Sequence, residues 1–184
     1  MRFTIRLTAL TAAALLTLAP PVAAQTREGV MGDLISDLTQ LEKKVIDLAK
    51  AMPAAAYEWR AGKARTTSEV LMHIAADNYF FPAVLGMPAP AATGITKEYP
   101  TAAAFEKKTL AREALIAELE KSFAFLKDSM TAVPDAKMNE PIEVFGQKNT
   151  NRGMWIMATA HLHEHLGQLI AYARANNVTP PWSK

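Results

Sequence analysis

No cysteine occurs anywhere in the chain. That excludes disulfides, a cysteine nucleophile and any thiolate-ligated zinc, and it leaves packing as the source of stability. Glycine is scarce, at 8 of 184 residues, which argues against the turn-rich chains of sandwiches and barrels. Ala, Leu, Glu and Lys are plentiful, and that balance favours helices. Nor does one sign of charge dominate, since 20 Lys and Arg stand against 18 Asp and Glu. A body so close to neutral lacks the electrostatic footprint of a nucleic-acid binder. Half the residues are apolar, enough for a full core, and the length fits one domain.

The start of the chain differs from the rest. Arg2 and Arg6 precede a short apolar stretch from Leu7 to Ala19, Pro20-Pro21 interrupts it, and Val22-Ala23-Ala24 supplies small residues. This is the pattern of a secretory signal over residues 1–24, with cleavage predicted between Ala24 and Gln25. The apolar stretch is short for a membrane span. The expectation is a periplasmic or secreted protein, residues 25–184, with no stable membrane association after cleavage. Without the two arginines of the signal, 18 bases face 18 acids.

Four helical stretches are expected. The first, about Glu28 to Met52, carries Leu34, Leu38, Leu41, Val45, Leu48 and Met52 at spacings of four and three, which draws one apolar seam. Pro53 ends it. The second, about Thr67 to Leu85, has Thr66 or Thr67 as cap, Glu69 in its first turn, and Pro82 near its end. Residues 86–100 hold Gly86, Pro88, Pro90, Gly94 and Pro100 and read as a long connection. The third helix is expected to run unbroken from about Thr101 to Ala132, with a seam of Leu115, Leu119, Phe123, Leu126 and Met130. Ile142 to Gly146 read as a small hairpin or an ordered loop. The fourth helix covers about Thr150 to Asn176, and Trp182 is expected to pin the tail beyond Pro180-Pro181. The fold class is therefore all-α: a four-helix bundle with a long crossover connection between helices 2 and 3.

The chain has four histidines, His73, His161, His163 and His165. On a helix, positions 161 and 165 share a face while 163 points elsewhere. That face also carries Met154, Ala158, Leu169 and Tyr172, so the pair lies in the apolar stripe. Polar rings there need partners. A metal ion would satisfy one nitrogen of each, and neutral imidazole suits zinc, nickel, copper or iron. The alternative is that these rings, like His73 on the second helix, are buried and satisfied by hydrogen bonds alone. Asp77, one turn after His73, is open to three readings: a base or proton shuttle facing the site, a support that holds a ligand ring by its second nitrogen, or an ordinary surface carboxylate. Glu69 is read as first-turn stabilisation, and Gln168 is a further candidate supporting residue. Glu164 and His163 are expected to face solvent or a partner helix.

Several segments carry a resemblance. Tyr57-Glu58-Trp59-Arg60 precedes Thr67-Ser68-Glu69-Val70-Leu71-Met72-His73. Near the end stands His161-Leu162-His163-Glu164-His165-Leu166-Gly167-Gln168, followed by Thr179-Pro180-Pro181-Trp182. In their order and spacing, over residues 28–184, these resemble the DinB-like superfamily of metal-binding four-helix bundles. The resemblance implies metal ligands at His73, His161 and His165 and a divalent transition metal such as zinc, nickel or iron as cofactor. It implies a metal-dependent enzyme, hydrolase or transferase, that activates water or a thiol for a small-molecule substrate. A non-catalytic periplasmic protein binding a metal or small ligand is the alternative. Several members use low-molecular-weight thiols in the cytoplasm, and an expected export signal is a departure that puts thiol transfer in doubt. The resemblance also leaves a homodimer open, with no signal in the chain that decides it.

Overall fold

The computed structural model describes residues 28–183, so the expected signal lies outside the described residues. Helix α1, Gly29–Ala51, buries the seam Leu38, Leu41, Val45 and Leu48. It stops at Met52, whose extended backbone (ψ 131°) is what a following proline imposes. A 3-10 turn, Ala54–Glu58, leads into α2, Thr67–Val84. Thr66 caps α2 with a reciprocal box: its Oγ1 accepts from the Glu69 backbone N–H at 3.2 Å, and Glu69 Oε2 accepts from the Thr66 N–H at 2.6 Å. Helix α2 has no solvent side. Val70 through Ala83 are all buried, as expected of a helix at the centre of a bundle.

The expected third helix is two helices. Helix α3, Tyr99–Glu106, packs on α2, and α4, Arg112–Ala132, begins after a break at Lys107 to Ala111. The break contains no Gly or Pro. Phe105 before it and Leu115 after it are both buried, Phe105 edge-on against Tyr79 of α2 at 5.8 Å. Redirecting the chain lets each face its own neighbour, and it sets Glu106 at the end of α3.

A hairpin follows, β1 Pro141–Val144 and β2 Gln147–Thr150, antiparallel with Val144 opposite Gln147. Helix α5, Asn151–Ala175, starts where the Thr150 side chain accepts from the Gly153 N–H. Around the bundle the order of neighbours is α1, α4, α2, α5, so helices α1 and α2, consecutive in the chain, lie on a diagonal. Trp155, Phe123, Leu119, Leu71 and Ile74 fill the centre. The tail is held by Pro180, which is buried, and by the Val178 N–H on the Ala173 carbonyl, while Trp182 is 37% exposed. No helix among the described residues is long and apolar enough to cross a membrane.

The capping box sets where α2 begins and hence the rotation that aims His73 inward. Thr66→Ala is expected to cost about 1 kcal/mol, read as a lowered midpoint in urea unfolding with an unchanged slope.

Candidate metal centre

Helix α2 contributes His73 and Asp77, one turn apart on one face, and α5 contributes His161 and His165 in the same way. The two faces meet. His161 Nε2 lies 3.3 Å from His73 Nε2, 3.1 Å from His165 Nε2 and 2.9 Å from Asp77 Oδ2. Asp77 Oδ2 is also 3.2 Å from His73 Nε2. One donor atom from each of the four residues falls within 4.8 Å of all the others. The three rings stand edge to face, with centroids 4.5 to 5.4 Å apart.

The far nitrogens are held from behind. His73 Nδ1–H donates to Glu106 Oε1 at 2.7 Å, and His165 Nδ1–H donates to Gln168 Oε1 at 3.1 Å. His161 Nδ1 has Glu164 Oε2 at 3.5 Å. These contacts continue into a loop of bonds. Gln168 Nε2 donates to Tyr172 Oη, which donates to the Arg65 carbonyl, and Arg65 Nη2 donates to Glu106 Oε2 at 3.1 Å. The loop thus runs from the ring of His165 through Arg65 to the ring of His73. Trp59 packs edge-on against Tyr172 at 5.0 Å, which places it in the support of this loop. Arg60 reaches Glu69 at 3.5 Å, so it acts at the cap of α2.

Protonation follows from this arrangement. Burial works against the charge of Glu106, but the His73 contact and the Arg65 guanidinium outweigh it and hold the carboxyl below its usual range. The Asp77 hydrogen bond raises His161 above the ordinary imidazole value against the effect of burial. Burial lowers His165, and the neighbouring His73 and His161 push it further down. With their Nδ1 atoms turned to Glu106 and Gln168, His73 and His165 direct Nε2 at the cluster. His161 Nε2 faces both of them and Asp77 Oδ2. Three nitrogens and a carboxylate oxygen therefore crowd one point. That donor set fits a divalent cation, which satisfies every lone pair at once.

The positions expected from the sequence are placed as follows. His73, His161 and His165 come together. Asp77 stands among the rings with a side chain 7% exposed, neither behind a ligand nor on the surface. Gln168 supports His165. Glu69 caps α2. His163 turns away and pairs with Asp37 of α1 at 2.7 Å. Glu164 is exposed. Sequence reasoning missed Glu106 and Arg65. Glu106 was one charge among many on a supposedly continuous helix, and only the break before α4 directs it to His73.

Comparison with known proteins adds three findings of one kind. A Bacillus cereus DinB-like protein superposes with a TM-score of 0.66 at 16% identity, covering 84% of this chain and 97% of that one. A conserved Enterococcus faecalis protein gives 0.65 at 15%, covering 80% and 97%. YfiT of Bacillus subtilis, described as a probable metal-dependent hydrolase with an unusual four-helix bundle topology, gives 0.66 at 15%, covering 83% and 93%. At these identities the likeness concerns the fold. No curated protein sequence matches. The sequence profile of the DinB superfamily matches residues 37–169, and the chain belongs to that superfamily.

Proposed function

We propose that this chain is a metal-dependent enzyme in which His73, His161 and His165 hold one divalent transition-metal ion. The convergence of three Nε2 atoms, two of them with their Nδ1–H already committed, carries the reading. Three neutral imidazoles leave the ion its full charge and an open coordination position, the mark that separates catalytic from closed structural sites. The His161 side chain is 31% exposed, so the cluster is reachable from that side by a small molecule. A divalent ion here supplies Lewis acidity, bringing the pKa of a coordinated water to about 7 and ionising a coordinated thiol in the same way.

The chain's own groups do the rest. Glu106 and Gln168 orient the two buried rings and keep their protons on Nδ1. Asp77 Oδ2, 2.9 Å from His161 Nε2, would stand beside a bound ion as a proton acceptor. Phe81 stands edge-on to His161 at 6.0 Å and keeps bulk water from that flank. We further propose that residues 1–24 direct export. An exported chain would be separated from the cytoplasmic thiols that several family members use, which favours hydrolysis over thiol transfer. Similarity to a protein described as a probable metal-dependent hydrolase supports the same choice.

Elemental analysis of purified protein is expected to find about one equivalent of transition metal, lost in His165→Ala and kept in His163→Ala. Asp77→Asn is expected to keep the metal, because three ligands remain. Loss of metal there would make Asp77 a ligand and remove it as the base. Glu106→Gln is expected to weaken metal affinity about 10- to 100-fold, as for other groups that orient a ligand ring, measured by competition with a chromophoric chelator. Protein recovered from the native host is expected to begin at Gln25, and an intact mass that includes residues 1–24 would remove the export proposal.

A further inference from the structure

The tip of the hairpin carries a residue that turn chemistry does not ask for. Phe145 and Gly146 join β1 to β2 with φ of 55° and 71°, the two positive values of a type I′ turn. Asn, Asp or Gly is preferred at the first of these positions, and a bulky side chain there is strained. Phe145 is also 59% exposed, so burial does not repay that strain. Its ring stacks on Phe80 of α2 at 6.1 Å with 27° between planes. Tyr99, at the start of α3 and 57% exposed, meets Phe80 edge-on at 6.0 Å. Phe80 and its neighbour Phe81 lie 6.3 Å apart, and Phe81 is the ring that touches His161. An aromatic path in steps of 6.0 to 6.3 Å therefore runs from the most exposed of the three histidines to two exposed rings on separate elements. The hairpin is fixed over this path, because Val144 packs with Phe81, Met154 and Ala158, and Ala158 lies one turn before His161.

We propose that Phe145 and Tyr99, both resting on the buried ring of Phe80, form the binding site for an aromatic group of the substrate whose reactive end lies at the metal centre. The inference rests on the metal-dependent reading above and narrows it to substrates bearing an aryl group several bonds from the reacting atom. The exposed sides of Phe145 and Tyr99 accept a further flat ring by offset or edge stacking, with a gain beyond that of burial alone. Strain retained in an exposed side chain is the kind of outlier from which function is inferred.

The test loads the protein with cobalt(II) and follows the visible spectrum during titration with two hydroxamates, which chelate metals through the same head group. One carries a methyl group, the other a 4-phenylbutyl chain. Wild type is expected to bind the phenyl compound more tightly, with the preference falling about three- to tenfold in Phe145→Asn and surviving in Phe145→Tyr. Asn relieves the turn, so Phe145→Asn is expected to melt no lower than wild type. Equal affinity of the two compounds in wild type, an unchanged preference in Phe145→Asn, or a lower melting temperature in that variant overturns this inference alone. If neither compound perturbs the cobalt spectrum, the metal reading fails and this inference with it.

Discussion

Four polar side chains from two helices aim at one point, and the rest of the structure is arranged to permit it. Ring nitrogens 3.1 to 3.3 Å apart repel unless a proton or a cation lies between them. Removing such groups from water costs free energy that packing must offset. The compensation comes from outside the cluster, where Glu106, Gln168, Tyr172 and Arg65 close a loop of hydrogen bonds. The far nitrogens of His73 and His165 are satisfied, those two rings are held at one rotation, and the remaining polar capacity is concentrated at the centre of the cluster. A network satisfied everywhere but at its centre is stable in the folded chain and selective for what enters.

The frame that holds this cluster is α2. A helix buried on every side cannot rotate to relieve crowding, and its capping box sets where it begins. Helix α5 packs on both α1 and α2, so His163 can meet Asp37 of α1 while His161 and His165 face α2 from the opposite side. Arg65 joins the two halves of the support. Its carbonyl receives the Tyr172 hydroxyl from α5, and its guanidinium holds Glu106 from α3. A short segment before α2 thus links the second sphere of both histidine-bearing helices.

Much of this was legible in the residues. The four-and-three spacing of Leu38, Leu41, Val45 and Leu48, and of Leu115, Leu119, Phe123 and Leu126, specifies helices and their buried faces. The i,i+4 pair His161 and His165 in a stripe with Met154, Ala158 and Leu169 places two imidazole rings inward, and His163 outward, by helical geometry alone. Glu106 was not legible, because its role depends on a break that contains neither Gly nor Pro. The position of Asp77 among the rings was only half legible. Its face was given by its distance from His73, while its partner on α5 was given by nothing local.

By itself, then, the amino-acid order determined the helical class, the seams, the caps, the family and which histidines turn toward the core. These are consequences of periodicity and of local backbone chemistry, which need no knowledge of distant residues. Only the tertiary structure decided that α1 and α2 lie on a diagonal, that α3 breaks from α4, and that Glu106 and Arg65 stand behind His73. It also decided that a strained Phe145 is carried over the aromatic side chains leading to His161. Those facts arise from how separate buried faces compete for the same neighbours, and no local pattern encodes the outcome of that competition.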